Sequence, residues 1–246
     1  MERRQRRVLV TGGSSGIGRE LVGQLAEAGD RVVTCGRDAA SLEQVAAHPR
    51  VDPVEIDLTE PGSVDALVQR ALDLLGGLDV VVANAGIQRP TDFFAHDGPA
   101  DETHIRSEVE TNFTSVAVLA ARTLPHLARS RGRFAAVTSG LAYAPKASAP
   151  VYCATKSGVH TLLDSLRYQA EDHDTGVRIQ EFILPIVITA MTEGRNEGEM
   201  PAPTAAAHIV DGLSSSRDRV AVGKARLLMP IMRLAPGLGR RMLRNG

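Results

Sequence analysis

The sequence of 246 residues is long enough to bury a substantial core, and its length fits one large domain over residues 1–246 better than two small ones. Its 28 basic and 29 acidic residues give a formal net charge of −1, which favours neither nucleic acid nor an anionic surface as partner. Cys35 and Cys153 are too few for a disulfide framework and fit a reducing compartment. No stretch approaches ~18 uncharged apolar residues and no signal-type region starts the chain, so we expect a cytoplasmic protein with a small-molecule partner.

Residues 7–28 predict a strand, a glycine-rich loop and a helix. Arg7–Thr11 is a short apolar run that ends at glycines, and helical spacing follows from Arg19 to Ala28. Glycines in the loop can adopt positive φ and let a pyrophosphate approach the backbone N–H groups at the helix N-terminus. A plain tight turn is the alternative, but the position between strand and helix favours a dinucleotide site. The predicted cofactor contacts in this loop are Gly12, Ser14, Ser15, Gly16, Ile17 and Gly18.

The end of the second predicted strand, Arg31–Cys35, indicates which dinucleotide binds. In dinucleotide-binding folds an acidic residue near this point binds the ribose 2′-hydroxyl of NAD, whereas an arginine accommodates the 2′-phosphate of NADP. Gly36 occupies the position of that acidic residue here, and Arg37 follows it. A 2′-phosphate therefore meets no repelling carboxylate at position 36 and can pair with the Arg37 guanidinium. Asp38 either neutralises Arg37 or caps the next helix. The sequence therefore favours NADP(H) over NAD(H).

Strands and helices alternate along the rest of the chain. This alternation predicts an α/β fold, a single Rossmann-type doubly wound parallel β-sheet of about seven strands flanked by helices, with ligands at the carboxyl ends of the strands. Further strands are predicted at Val51–Asp57, Leu78–Ala83, Arg133–Ser139, Val177–Leu184 and Arg219–Gly223, and helices at Ser41–Ala47, Pro61–Leu75, Asp101–Arg129, Thr204–Ser215 and after Pro150. The predicted cofactor contacts at the strand ends are Asp57, Leu58, Asn84, Ala85 and Gly86.

Tyr152 and Lys156 are the candidates for acid–base chemistry. If the segment after Pro150 is helical, four residues turn about 400° and both side chains share one face. A cation within ~4–6 Å favours the phenolate and lowers the pKa of a phenol. The alternative is a partly exposed Tyr and a solvated Lys, and the pair alone does not decide. Ser139 lies at the carboxyl end of a predicted strand, and Asn112 lies inside a predicted helix on an apolar face, where it needs an explanation.

Taken together, these residues resemble the classical short-chain dehydrogenase/reductase family, from about Arg7 to Gly223. Residues 11–18 match the family's Thr-Gly-x-x-x-Gly-x-Gly loop and residues 84–86 match its Asn-Ala-Gly segment. The family's catalytic tetrad corresponds to Asn112, Ser139, Tyr152 and Lys156.

The resemblance implies a role for each of the four residues. Tyr152 is then the general acid for carbonyl reduction, Ser139 hydrogen-bonds to the substrate oxygen, and Lys156 binds the nicotinamide ribose. Asn112 helps to hold a proton-relay water. The implied activity is that of an NADP-dependent oxidoreductase that interconverts a carbonyl and an alcohol on a small organic substrate.

The segment after the sixth predicted strand departs from the family pattern. Pro185 is followed by Ile186, where the family has glycine, and the branched side chain narrows the pocket or shifts the nicotinamide. This keeps a redox-neutral reaction, such as epimerisation or dehydration, as an alternative, and a regulator that binds NADP(H) without turnover is another. The predicted cofactor contacts here are Pro185, Ile186, Val187 and Thr189, and the predicted substrate contacts are Ser139, Leu141, Tyr143, Phe93, Phe94, Ile186 and Met191.

Residues 224–246 form a basic tail without acidic residues. It replaces a family segment that often belongs to a tetramer interface, so we expect a homo-oligomer, with a dimer through the long helices favoured over a tetramer. The apolar runs of the tail allow an amphipathic membrane contact, but packing on its own domain or on a sister subunit is favoured. The polar segment between Thr189 and Pro203 is predicted to be a mobile lid. The seven histidines are scattered, and no metal site is predicted.

Overall fold

The computed structural model describes residues 4–95, 100–192 and 200–244. Seven strands in these ranges form one parallel sheet: β1 (Arg7–Thr11), β2 (Arg31–Gly36), β3 (Val51–Glu55), β4 (Val80–Ala83), β5 (Arg133–Ser139), β6 (Arg178–Leu184) and β9 (Arg219–Ala221). Their spatial order is β3-β2-β1-β4-β5-β6-β9, which confirms the predicted Rossmann-type sheet. Two short strands outside the sheet, β7 (Val187–Ile188) and β8 (Met200–Pro201), pair with each other in parallel.

Helices cover both faces of the sheet. They are α1 (Gly16–Glu27), α2 (Ala39–Ala46), α3 (Ser63–Leu75), α4 (Glu102–Val109), α5 (Ser115–Ser130), α6 (Pro150–Asp172), α7 (Ala202–Gly212), α8 (Ala225–Leu234) and α9 (Pro236–Leu243). Successive residues of a strand point to opposite faces, so on β1 Val8 and Val10 enter one core cluster and Leu9 enters the other. Burial on both faces explains why the strands are apolar runs. None of the helices in the described ranges is long and apolar enough to cross a membrane.

Two local predictions need correction. The helix predicted over Asp101–Arg129 is divided by a π-helical turn, Glu110–Thr114, into α4 and α5. Pro61 precedes α3 instead of lying in its first turn, because Gly62 adopts a left-handed conformation with φ of +79° immediately before the helix. The basic tail, for which no secondary structure was predicted, forms two short helices, α8 and α9.

The predicted lid lies partly outside the described residues. Residues 193–199 are not described, and the flanking residues form β7 and β8, with Val187 opposite Met200 and Ile188 opposite Pro201. This pairing fixes the two ends of the segment next to each other.

Candidate active site

A cavity of about 760 Å³ lies at the carboxyl ends of the central strands. The sheet order reverses between β1 and β4, and ligand crevices form at such switch points in doubly wound sheets. Residues predicted from separate parts of the sequence line this one cavity: Gly12, Ser14, Ser15, Gly16, Ile17, Gly18, Arg37, Asp57, Leu58, Asn84, Ala85, Gly86, Tyr152, Lys156, Pro185, Ile186, Val187 and Thr189.

The glycine-rich loop is held close to the end of β4. Gly12 has φ of +71°, and a Cβ at this position would lie 2.8 Å from Cα of Ala85. Thr11 Oγ1 accepts hydrogen bonds of 3.1 Å from the backbone N–H groups of Asn84 and Ala85. In the described structure the Ser15 side chain makes no capping hydrogen bond at the start of α1. The loop therefore has the space and the free helix N-terminus that the pyrophosphate of a dinucleotide requires.

Gly36, Arg37 and Asp57 form the far end of the cavity. A Cβ at Gly36 would lie 2.7 Å from Cβ of Ser14, so the position that is acidic in NAD-binding folds has no room for a side chain. Arg37 is mostly exposed, and its Nη1 lies 3.7 Å from Asp57 Oδ2. Asp38 caps α2, which settles the two roles that the sequence left open for it. Arg37 is thus available at the cavity edge, with Asp57 as its neighbour.

The phenol of Tyr152 and the ammonium of Lys156 meet on the cavity-facing side of α6. Lys156 Nζ lies 5.7 Å from the centroid of the Tyr152 ring and donates a 2.9 Å hydrogen bond to the carbonyl oxygen of Val137. Burial lowers the pKa of Lys156 to about 8. A Cβ at Gly86 would lie 3.5 Å from Nζ, so the end of β4 also packs against the ammonium. The arrangement places a positive charge beside a phenol in a water-restricted site.

Ser139 lies at the carboxyl end of β5 and lines the same cavity. Its Oγ accepts a 3.2 Å hydrogen bond from the backbone N–H of Leu141. Because the oxygen accepts in this contact, the hydroxyl proton can be donated to a group in the cavity.

Asn112 is fully buried in the π-helical turn and is not among the residues that line the cavity; Thr111 is. Its amide accepts from Ile87 N–H and donates to Ile87 C=O, both at 2.8 Å, and also donates to Thr155 Oγ1 at 3.3 Å. Thr155 Oγ1 in turn donates to the carbonyl oxygen of Tyr152 at 2.8 Å. The Asn112 side chain thus ties the segment after β4 to the first turns of α6. This contact explains an asparagine on an otherwise apolar face.

The predicted substrate contacts are only partly brought together. Leu141, Ile186 and Met191 line the cavity. Tyr143 does not, because its hydroxyl turns inward and donates to Glu181 Oε2 at 3.0 Å. Phe93 and Phe94 do not reach the wall either, and Phe94 is 91% exposed. These three assignments are corrected by the structure.

A buried charged network beneath the site is not predicted by any sequence motif. Glu181 on β6 is completely buried and accepts from Thr138 Oγ1 at 2.8 Å and from the Tyr143 hydroxyl. His160 Nδ1 lies 2.9 Å and Arg219 Nε 3.5 Å from its Oε2. Burial opposes ionisation, but the contacts with His160, Thr138 and Tyr143 lower the pKa of Glu181 below its usual value. The network links β5, which carries Ser139, and α6, which carries Tyr152, to β6 and β9.

The tail covers part of the cavity. Leu228 packs against Gly140, where a Cβ would lie 2.9 Å from Leu228 Cδ2, and the backbone N–H of Ala147 donates to the carbonyl oxygen of Arg244 at 2.9 Å. The apolar spacing of the tail was visible in the sequence, but its position over the cavity depends on these distant contacts. Wall residues that the sequence did not predict include Gln88, Thr111, Lys146, Thr192, Leu227, Leu228, Ile231, Met242 and Leu243.

Comparisons with known proteins find relatives in sequence and in fold. The chain is 38% identical over 188 residues to DltE of Bacillus subtilis (strain 168), described as an uncharacterized oxidoreductase, covering 76% of this chain and 73% of that one. A short chain dehydrogenase from Burkholderia cenocepacia J2315, solved in complex with NADP, has a TM-score of 0.86 at 24% identity and full coverage of both chains. An alcohol dehydrogenase from the archaeon Thermococcus sibiricus, complexed with 5-hydroxy-NADP, has a TM-score of 0.78 at 22% identity, covering 88% of this chain and 95% of that one.

The two solved structures show the same fold as this chain. Family membership follows from the sequence itself, because residues 6–200 match the profile of the family described as short chain dehydrogenase. This match spans every element that carries Asn112, Ser139, Tyr152 and Lys156. The chain belongs to the short chain dehydrogenase family of oxidoreductases.

Proposed function

We propose that the protein uses NADP(H) to interconvert a carbonyl and an alcohol on a small organic substrate. The observation that carries the proposal is the buried Lys156 ammonium beside the Tyr152 phenol, in the same cavity as Ser139 and the glycine-rich loop. Family membership supports an oxidoreductase, and the residues of this chain support its mechanism.

Each of these residues has a task in the proposed reaction. The nicotinamide supplies or accepts the hydride when it is bound. During reduction, negative charge grows on the substrate oxygen, and donors at Ser139 Oγ and the Tyr152 hydroxyl stabilise that charge more in the transition state than in the ground state. Tyr152 gives its proton to the oxygen, and the Lys156 ammonium stabilises the phenolate left behind. Asn112 positions both the segment after β4 and α6 through its contacts with Ile87 and Thr155.

The preference for NADP(H) over NAD(H) rests on the far end of the cavity. Gly36 leaves no carboxylate to repel a 2′-phosphate, and the exposed guanidinium of Arg37 can pair with it. Asp57 competes for Arg37 at 3.7 Å, a distance that a bound phosphate can improve on. The NADP and 5-hydroxy-NADP complexes of the two structural neighbours support the same assignment.

A panel of ketones and aldehydes with NADPH and NADH tests the proposal. We expect loss of the NADPH absorbance with some members of the panel and a much slower reaction with NADH. Tight NADPH binding without oxidation on a broad panel would instead favour the redox-neutral reaction or the non-catalytic regulator.

A further inference from the structure

Most of the exposed large apolar side chains in the described residues lie on segments that also contribute residues to the cavity wall. Ten large apolar side chains are exposed among the described residues, and nine of them lie on three segments that border the cavity. Such a concentration, unlike scattered single residues, marks an interaction surface. We call these nine residues the apolar rim: Phe93, Phe94, Ile186, Ile188, Met191, Leu227, Leu234, Leu238 and Met242. The tenth, Tyr168, lies on α6.

The three segments are connected in space. Ile186, Met191, Leu227 and Met242 belong both to the rim and to the cavity wall. The loop that holds the two phenylalanines starts at the cavity wall with Gln88, and hydrogen bonds link it through the 147–148 backbone to the end of the tail. The rim therefore forms part of the cavity wall and continues onto the surface beside it.

The tail presents the largest part of the rim on two short helices. On α8, Leu227 and Leu234 are 68% and 83% exposed and stand two helical turns apart on one face, with Ile231 between them. On α9, Leu238 and Met242 are each 56% exposed and stand one turn apart. Leu228, which lies about 100° around α8 from Leu227, is buried. The helix is therefore fixed to the domain while its exposed apolar edge faces outward.

The charge around this part of the rim indicates which kind of partner it can bind. Residues 224–246 carry six of the 28 basic residues and none of the 29 acidic ones, a formal charge of +6 against −7 for the rest of the chain. The described basic residues of the tail are exposed. A symmetric contact with a second copy would bring two such clusters together, which like-charge repulsion disfavours. Short helices with an apolar edge and flanking arginines match the requirements for lying in the headgroup region of an anionic membrane.

We propose that the apolar rim docks the protein on an anionic lipid bilayer, with α8 and α9 along the headgroups and the opening of the cavity toward the lipid. The sequence interpretation allowed a membrane contact but favoured packing of the tail on its own domain or on a sister subunit. The structure shows that it packs on its own domain and still leaves Leu227, Leu234 and Leu238 exposed. The contact is peripheral and does not depend on which substrate is turned over.

Flotation of the full-length protein with vesicles tests the proposal. We expect binding to vesicles of phosphatidylcholine and phosphatidylglycerol, little binding to phosphatidylcholine alone, and weaker binding at high salt. The paired substitutions Leu234→Gln and Leu238→Gln remove apolar contacts away from the cavity wall, and Arg240→Gln and Arg241→Gln remove charge. Each pair should lower partitioning about tenfold or more. Tyr168→Gln, the matched control outside the rim, should leave it unchanged.

Three results would overturn the docking model. One is the absence of flotation with anionic vesicles at low salt. Another is binding that both paired variants retain at the wild-type level while circular dichroism shows them folded. The third is a change of oligomeric state in sedimentation velocity caused by the leucine pair without any loss of flotation, which would make the rim a contact between copies of this chain. If the leucine pair fails to fold, the arginine pair alone decides between these outcomes.

Discussion

Lys156 Nζ lies 5.7 Å from the centroid of the Tyr152 ring in the described cavity, and the burial of Lys156 has a measurable consequence. Removal from water disfavours the ammonium, so the pKa of Lys156 falls to about 8. Below that pH the side chain is charged and can stabilise the phenolate that Tyr152 forms when it gives up its proton. Above that pH the charge is lost and the phenolate loses its support.

The first prediction is a pH dependence of carbonyl reduction. In the free enzyme kcat/KM should be level below pH 8 and fall by about tenfold per pH unit above it, since only the protonated Lys156 supports proton donation. Initial rates across the range, with NADPH affinity measured in parallel, check this. A profile that stays level to pH 10 would show that Lys156 charge does not control the reaction.

The second prediction concerns Arg37. Arg37→Ala should weaken NADPH binding about tenfold to a hundredfold and change NADH binding about twofold or less, because only NADPH carries the 2′-phosphate. Fluorescence titration of both cofactors measures the two losses. Arg50→Ala, which removes an exposed arginine away from the cavity, serves as control. Equal losses for the two cofactors would mean that Arg37 does not recognise the phosphate.

At the scale of elements, the periodicity of apolar residues was sufficient to predict most strands of the sheet and most of its helices. β1 and β5 have the predicted bounds because a parallel strand covered on both faces is a continuous apolar run between turn residues. The π-helical turn at Glu110–Thr114 was not predicted, since a single wider turn within a long helix has no sequence motif of its own. Asn112 lies in this turn, and in the sequence it stood out as an asparagine on an apolar helical face. Its hydrogen bond to Ile87 explains why an asparagine is there.

The Glu181 network yields a third prediction. Glu181→Ala should lower the free energy of unfolding by ~3 kcal/mol, because His160 and the Tyr143 hydroxyl lose the buried carboxylate that they both contact. Chemical denaturation near neutral pH measures the loss. Asp73→Ala, which removes an exposed carboxylate on α3, should cost far less.

The contribution of this network to stability should decrease as the pH falls. The pKa of Glu181 is lowered in the folded protein, so its stabilisation is complete above the unfolded pKa of ~4.3 and is lost as pH falls through the lower folded value. The difference in stability between wild type and the Glu181→Ala variant should therefore narrow in acid. A difference that stays constant down to strongly acidic pH would contradict an ionised Glu181.

At the scale of the whole molecule, the parallel sheet determines where the chemistry occurs. Every carboxyl end lies at one edge, so residues as distant in sequence as Gly12, Asn84 and Ser139 line one cavity. Motif spacing could locate these residues because their positions follow from the sheet. The substrate side could not be located in the same way. Phe94 and Tyr143 were plausible apolar candidates, but the fold points one to solvent and the other to Glu181.

The tail covers part of the cavity through contacts between residues that are distant in the sequence. Leu228 meets Gly140 and Arg244 meets Ala147 across the fold, and these contacts place α8 and α9 beside the residues of the active site. The tail thus contributes to the wall of the cavity and to the apolar rim beside it. Substrate range is therefore expected to depend on the tail more than on the glycine-rich loop.

The most direct test of the account is the turnover of Tyr152→Phe with NADPH and a carbonyl substrate of the wild-type enzyme, alongside its NADPH affinity. Loss of the only phenol beside Lys156 in the described cavity should reduce kcat by at least about a hundredfold, in line with general acid catalysis, and leave NADPH affinity within a few-fold. Turnover close to that of the wild type would contradict the assignment of Tyr152 as the acid and, with it, the proposed mechanism.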